Sequence, residues 1–173
     1  IKVSVVTVTY NDSSGLQKTI DSLNSLNESG VDWEHIIVDS SPAANAEQIS
    51  KIKSDWPLIH INEDPNGIYE AQNTGLTKAS GDLIWFLNSG DRLSHMRAIE
   101  SILLQFESTP SLGFVCGSAR LHRDGQYLYS QNPKTPLIRN ILGSNHLCHQ
   151  AIIYRRTMLL DIGHFSTAFR FAS

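Results

Sequence analysis

The stretch Asn66–Asp91 reads NGIYEAQNTGLTKASGDLIWFLNSGD, and its pattern decides the fold class. Asp64, Pro65, Asn66 and Gly67 bring turn-favouring residues together, which marks a loop. A helix is expected over Ile68–Ala79, closed by Ser80, Gly81 and Asp82. Leu83–Leu87 (LIWFL) is a short continuous apolar run, the mark of a strand covered on both faces. Asn88, Ser89, Gly90 and Asp91 then form a polar turn. Helix, buried strand and polar turn in that order are one repeat of a βαβ architecture.

The flanking sequence repeats the theme. Val3–Thr9 (VSVVTVT) is β-branched and nearly continuous in apolar character, so it is expected as another covered strand. Ser14-x-x-Gln17 offers a capping box, and Leu16, Ile20, Leu23 and Leu26 follow at helical spacing. Trp33–Asp39 reads as the second strand, Ser40–Asn45 as a turn-rich loop, Ala46–Lys53 as a short helix and Leu58–Asn62 as the third strand. Met96–Phe106 is an amphipathic helix with Ile99, Ile102, Leu103 and Phe106 on one side. Gly113–Leu121 and Gln126–Ser130 read as strands flanking the Arg123-Asp124-Gly125 turn. Gln131–Ser144, with Pro133 and Pro136, reads as an excursion. Ala151–Tyr154 is expected as a strand and Arg155–Ile162 as a helix ended by Gly163. No internal repeat, linker or low-complexity tract interrupts the pattern. The fold class expected is therefore α/β, a mostly parallel sheet flanked by helices.

Composition agrees with a single domain carrying a hydrophobic core: 173 residues, 40% hydrophobic, 18% charged, formal net charge −3. A slightly acidic chain without a basic run argues against nucleic acid as a partner. The longest apolar run, Leu83 to Leu87, is far short of the roughly 20 residues of a membrane span, although peripheral attachment stays open. Cys116 and Cys148 form neither a metal-ligand pair nor a disulfide framework, so reduced thiols in a cytoplasmic protein are expected. His146-x-Cys148-His149 lacks a fourth ligand at useful spacing and makes a poor zinc site. His35, His60, His95, His122 and His164 read as structural or solvent-facing. Trp33, Trp56 and Trp85 read as core or groove aromatics, not as a stacking platform for bases.

Ligands of open α/β sheets bind outside the carboxyl ends of the strands. Thr9, Tyr10 and Asn11 follow the first strand; Asp39, Ser40 and Ser41 end the second; Asn88 to Asp91 follow the fourth. Singly, each is ordinary: a half-buried tyrosine, an N-cap aspartate, a turn. Jointly they describe a polar ligand site. Tyr10 can offer a flat face to a base, Asp39 can accept hydrogen bonds from base or ribose, and Asp91 can hold magnesium or manganese, which favour oxygen ligands and bridge carboxylates to phosphates.

The runs VSVVTVTYN, IIVDSS and NGIYEAQNTGLTKASGDLIWFLNSGD, continued by CHQAIIYRR and the final FRFAS, resemble the family 2 glycosyltransferases of bacterial surface polysaccharide synthesis. They are most similar to the colanic-acid-type branch, with its G-I-Y-x-A-x-N-x-G helix and F-L-N-S-G-D turn. The resemblance covers essentially the whole chain. It implies a GT-A fold over residues 1–173, with 1–91 the nucleotide-binding half and 92–173 the start of the acceptor half. It further implies a nucleotide-diphosphate sugar donor, a divalent cation (magnesium or manganese), a saccharide or polyprenyl-linked acceptor, and inversion at the anomeric carbon, in the cytoplasm or at the inner face of the membrane. By position, Thr9, Tyr10 and Asn11 would line the base and ribose pocket, and Asp39 would bond the nucleoside with Ser41 beside it. Gly67, Asn73 and Gly75 would lie near nucleotide and sugar. Asn88, Ser89 and Asp91 would occupy the D-x-D region, and His149 and Gln150 the diphosphate or acceptor side, with His149 a candidate catalytic group.

The departures from the family pattern are specific. The acid-rich D-G-S-x-D loop is here Asp39-Ser40-Ser41-Pro42-Ala43, without its second acid. Asn88 and Gly90 stand where many relatives carry aspartates, so Asp91 is the one carboxylate of the turn, and weak cation affinity is expected before the donor arrives. Gln72 stands where relatives often have arginine. The family's F-x-x-x-S-D-Y motif supplies the aspartate that takes the proton from the attacking hydroxyl, and here Ser173 is the last residue before it. The expectation is a fragment that binds donor and transfers poorly or not at all.

Other classes fit less well. A nucleotidyltransferase wants a glycine-rich basic loop after the first strand, and Thr9-Tyr10-Asn11-Asp12 is neither. A Rossmann oxidoreductase wants G-x-G-x-x-G there, and neither that nor a Walker loop exists. A non-catalytic nucleotide-sugar-binding or scaffold protein is the alternative that the altered acids keep open.

Overall fold

The computed structural model describes residues 1–27, 30–133 and 147–168. Strand β1 (Lys2–Thr9) is the hub of its sheet, pairing in parallel with β2 (Asp32–Asp39) on one side and β4 (Leu83–Phe86) on the other. Strand β3 (Leu58–Asn62) extends the parallel set beyond β2. On the far side β8 (Ile152–Arg155) pairs antiparallel with β4, and β5 (Phe114–Cys116) pairs antiparallel with β8. The resulting order is β3-β2-β1-β4-β8-β5, and β6 (Ala119–Arg123) with β7 (Gln126–Gln131) forms a separate antiparallel hairpin. The expected mostly parallel α/β sheet is the one observed.

Both faces of the central strands are covered, which explains their unbroken apolar runs. Val3, Val5, Leu83, Trp85 and Leu87 pack with Leu23 of α1 (Ser13–Asn24) and with Ile99, Leu103 and Phe106 of α4 (Met96–Ser108). Val6, Ile36, Val38, Ile84 and Phe86 look the other way, toward Ala71 and Leu76 of α3 (Ile68–Lys78) and Leu159 of α5 (Arg156–Ile162). Ile37 meets Leu16 and Ile20 of α1 and Ile49 of α2 (Ala43–Ser50). Successive strand residues thus alternate between two helical layers.

Helix α3 approaches β1 so closely that Gly75 has no room for a side chain: a Cβ there would overlap Val6 Cγ1 and touch Val38 Cγ2 at 3.4 Å. Gly75 therefore sits tightly packed against the sheet. Gly75→Ala should lower stability by a net of about 1–2 kcal/mol, because overpacking a core outweighs alanine's helix preference. A urea midpoint equal to or above wild type would show that α3 can shift outward freely.

Three local readings need correction. Asp12, not Ser14, caps α1: its Oδ1 accepts from Gly15 N at 2.9 Å. Both residues can cap, and Asp12 prevails because its second carboxylate oxygen is also used, as described below. Helix α2 begins at Ala43, directly after Pro42, earlier than Ala46. The expected strand over 113–121 is split at Gly117 and Ser118, because β5 joins the main sheet while β6 leaves it for the hairpin. Most of the excursion over 131–144, His146 and the final residues 169–173 lie outside the described residues.

Candidate functional site

The carboxyl ends of β2, β1 and β4 are bonded side by side. Thr9 and Asp39 are register partners, and Ser40 N donates to Thr9 O at 3.0 Å. Beyond β4 the chain keeps following β1: Leu87 N donates to Val6 O at 3.0 Å and Ser89 N to Val8 O at 3.1 Å. The residues picked from three separate stretches of sequence are therefore neighbours on one rim.

On the β1–β2 side, Tyr10 stands at the strand tip with its ring half in solvent. Asn11 takes a left-handed backbone (φ 54°), which asparagine tolerates better than most residues. Its N–H donates to Ser41 Oγ at 2.7 Å, and its Oδ1 accepts from Asn45 Nδ2 at 2.8 Å, so the two loops hold each other. Ser41 N donates to Asp39 Oδ1 at 2.8 Å, and Asn62 Nδ2 donates to Asp39 O at 2.9 Å. Asp39 is fully buried, and its Oδ2 has no hydrogen-bond partner; His60 Nε2, also unpaired, lies 3.6 Å away. Thr9 Oγ1 is likewise buried and unpaired. Unpaired buried polar atoms are uncommon, and three of them, Thr9 Oγ1, Asp39 Oδ2 and His60 Nε2, lie on the adjacent strands β1, β2 and β3.

On the β4 side, Asn88–Asp91 closes on itself. Asp91 N donates to Asn88 O at 3.0 Å, Asn88 N donates to Asp91 Oδ2 at 3.2 Å, and Gly90 adopts φ 91°, a conformation open chiefly to glycine. Burial raises the Asp91 pKa above the ordinary aspartate value, opposed by bonds from Asn88 N and the Gln150 side chain. Gln150 is delivered by a one-turn 3-10 segment, His149–Ala151, which Trp85 Nε1 pins by donating to Gln150 O at 2.7 Å. Cys148 Sγ donates to Gln150 Oε1 at 3.0 Å. His149 is partly buried, its Nε2 is unpaired, and burial lowers its pKa, so the ring is neutral near pH 7.

The donor types suit a hard divalent ion: the Asp91 carboxylate and, three positions earlier in the same turn, the buried and unpaired Oδ1 of Asn88. Among the described residues, no cluster of three His, Cys, Asp or Glu side chains could hold a metal by itself. An ion would need further oxygens from a ligand or water.

Asn73 and Gly67 have structural tasks of their own in the fold. Asn73 spends both ends of its amide on Phe165, donating to its carbonyl and accepting from its N–H, each at 2.9 Å. It ties α3 to the segment after α5, and the amide is not open in this arrangement. Gly67 caps α3 at φ 107° on the loop leaving β3, on the same rim as the other strand ends. Sequence reasoning gave Asp12 and Thr19 no part in the site and read His60 as structural or solvent-facing; Asp12 alone carried a readable signal, as an aspartate just ahead of a helix.

Sheet order, helical layers and polar rim together define a GT-A-type α/β domain. The chain belongs to glycosyl transferase family 2, whose family model matches residues 4–170. An uncharacterised glycosyltransferase of Mycobacterium tuberculosis is 30% identical over 178 residues, covering 99% of this chain and 65% of the relative. The poly(ribitol-phosphate) beta-N-acetylglucosaminyltransferase TarP of Staphylococcus aureus is 32% identical over 104 residues, 58% of this chain and 32% of TarP. In fold, S. aureus TarS 1–349 superposes with a TM-score of 0.76 at 20% identity over 99% of this chain and 52% of that one. The mannosyltransferase PcManGT from Pyrobaculum calidifontis, solved with GDP-Man and Mn2+, gives 0.71 at 18% identity over 95% and 47%. The chain spans about two thirds of the mycobacterial relative and about half of these structures. Among the described residues, no helix is long and apolar enough to cross a membrane.

Proposed function

We propose that this chain is the donor-binding part of an inverting glycosyltransferase. It would take a sugar from a nucleoside-diphosphate donor to a saccharide or polyprenyl-linked acceptor in bacterial surface polysaccharide synthesis, as the colanic-acid-type resemblance suggests. The work would take place in the cytoplasm or at the inner membrane face. The observation that carries the reading is the hydrogen-bonded alignment of the β2, β1 and β4 tips, which sets Asp39, Tyr10 and Asp91 along one rim. Structures of TarS with UDP and with UDP-GlcNAc, and of PcManGT with GDP-Man, show related folds binding such donors.

In this reading the base lies on the exposed face of Tyr10, and a nucleoside N–H or O–H satisfies the free Oδ2 of Asp39 once His60 moves aside. Asn11 and Ser41 shape the ribose pocket, with Thr9 at its floor. The diphosphate points toward Asn88, Ser89 and Asp91, and the N-terminal loop of α3 at Gly67 flanks it. A magnesium or manganese ion held by Asp91 and Asn88 Oδ1 would supply positive charge against the departing diphosphate. The acceptor hydroxyl attacks the anomeric carbon in line; its new C–O bond forms as the bond to the diphosphate oxygen breaks, which inverts the centre. The resemblance assigns the hydroxyl proton to the aspartate of the F-x-x-x-S-D-Y motif. Neutral His149, with Nε2 free, is the described imidazole able to bond the diphosphate or acceptor on that side.

The test is nucleotide binding. Asp39→Ala should weaken UDP or GDP binding by about 10- to 150-fold, the value of one hydrogen bond to a charged group, read by calorimetry with manganese. Unchanged affinity would remove Asp39 from the pocket. The altered acids, a D-G-S-x-D loop without its second acid and a turn with Asp91 as its one carboxylate, keep open one second reading, a nucleotide-sugar-binding protein without transfer. Release of free UDP or GDP from a nucleotide-sugar panel separates the enzyme from the binder.

A further inference from the structure

One face of α1 is bonded along its length to the turn that carries Asp91. At its start, Asp12 Oδ2 accepts from Ser89 Oγ at 2.8 Å, and the same hydroxyl lies 3.1 Å from Asp12 O. Two turns on, Gly90 N donates to Thr19 Oγ1 at 2.9 Å. The Thr19 hydroxyl proton is shared between Gly15 O at 3.2 Å and Asn88 O at 3.4 Å. Next, Leu93 N donates to Ser22 Oγ at 3.2 Å, whose own proton goes to Thr19 O at 2.7 Å. Positions 12, 19 and 22 fall on one helix face, and each contacts a different residue within 88–93.

The geometry compensates for a specific weakness of this turn. Gly90 at φ 91° is conformationally free, and the turn's own bonds are few: Asp91 N to Asn88 O, and Asn88 N to Asp91 Oδ2. If an ion or diphosphate drew the Asp91 carboxylate outward, the second of these would be lost. What then holds the backbone in place comes from α1. Thr19 is fully buried and its side chain serves the two residues on either side of Ser89 at once. Asp12 is fastened in turn as the N-cap of the helix, so its carboxylate cannot swing away without releasing Gly15 N.

We infer that α1 is the positioning element of the candidate cation and diphosphate turn, with Thr19 as its central positioning residue and Asp12 and Ser22 as flanking ties. The inference rests on the proposed role of Asp91. A preorganised turn presents Asp91 and Asn88 Oδ1 without an ordering cost at the moment of binding. Loss of the Thr19 hydroxyl leaves Gly90 N facing a methyl group and frees the Asn88 carbonyl, so the turn samples other shapes. Nucleoside contacts at Tyr10 and Asp39 lie on the other loops and are untouched.

The decisive experiment titrates the 173-residue protein with UDP and with GDP, each with and without manganese. Thr19→Val, close in shape, should keep the metal-free nucleotide affinity and an ordinary cooperative melt. It should lose about 10-fold of the manganese-dependent gain. Thr19→Ser, which restores the hydroxyl, should return that gain to within about 2-fold of wild type. A generic packing defect would lower both affinities together and would not be rescued in this selective way. An unaltered manganese-dependent gain in Thr19→Val overturns the inference, as does equal loss with and without manganese. Should Thr19→Val not fold, Ser22→Ala gives the decision: a selective loss of several-fold supports the clamp and an unchanged gain overturns it. Asp91→Ala in parallel keeps the two readings apart. If it retains the manganese-dependent gain, the cation turn itself is misassigned; if it loses the gain while Thr19→Val does not, the clamp alone fails.

Discussion

Asp91→Ala is expected to remove the manganese-dependent part of nucleotide binding almost entirely, a loss of at least about 100-fold in that component. The reason is the poverty of the turn: Asp91 is the only carboxylate within Asn88–Asp91, and no cluster of three His, Cys, Asp or Glu side chains among the described residues can take over. Asp91→Asn separates charge from shape, because the amide oxygen can still accept from Asn88 N in place of the carboxylate. It should melt like wild type and still lose the metal effect. Because burial pushes the Asp91 pKa up, its ionised form is the costly one in the ligand-free protein. For an acid with a raised folded pKa the penalty is full above that pKa and shrinks to nothing as pH falls from it to the ordinary aspartate value. At pH 7 the Asn variant should therefore be at least as stable as wild type without ligand, and clearly less stabilised when manganese and nucleotide are added. Thermal melts under the two conditions read both effects. A variant less stable without ligand but fully responsive to manganese would make Asp91 a structural turn residue only.

How far the letters alone could carry this result varied with the physics of each element. β1, β2 and β4 were legible because burial on both faces forces apolar residues onto consecutive positions, as in VSVVTVT, IIV and LIWFL. The rim was legible because topology sends every parallel strand's carboxyl end to the same edge. The β6–β7 hairpin was legible as two strands, but its separation from the main sheet was not: its residues are mostly exposed, so no alternation marks which sheet it joins. Asn73 shows a different limit. A polar residue on α3 in a motif-like run invites a ligand role, yet its amide is matched to Phe165, 92 positions away. Thr19 reads as an unremarkable helix residue until the turn 71 positions away is folded against it. Local signals report elements; the partner that gives a polar side chain its task is set by tertiary contact, which one sequence does not display.

Acidification should cost this domain about 2 kcal/mol of stability between pH 7 and pH 5, with His35 as the main cause. His35 lies on β2 with no solvent exposure; its Nε2 meets Thr7 Oγ1 at 2.8 Å, its Nδ1 has no partner, and the Trp56 ring stands edge-on at 6.3 Å. Burial pushes its pKa down from 6.5 to about 4. Over the window between those values the unfolded chain takes up a proton that the folded chain refuses, so stability is full above about 6.5 and drains as pH falls toward about 4. His149, its pKa also lowered by burial, acts in the same direction. Glu34 does not contribute in this window. Burial opposes its ionisation, but bonds from Lys2, Ser4 and Ser80 outweigh that and hold it at about 2, so its stabilisation is lost only below the ordinary glutamate range. His35→Asn keeps an amide in reach of Thr7 and removes the titration; urea unfolding at pH 7 and pH 5 should then differ by well under half the wild-type amount. Equal pH sensitivity in the variant would move the cause away from β2. The contrast has a bearing on the site, since His35 is four residues before Asp39 on the same strand: loosening of β2 in mild acid would reach the nucleoside pocket before it reaches the turn at Asp91, which is fastened to α1.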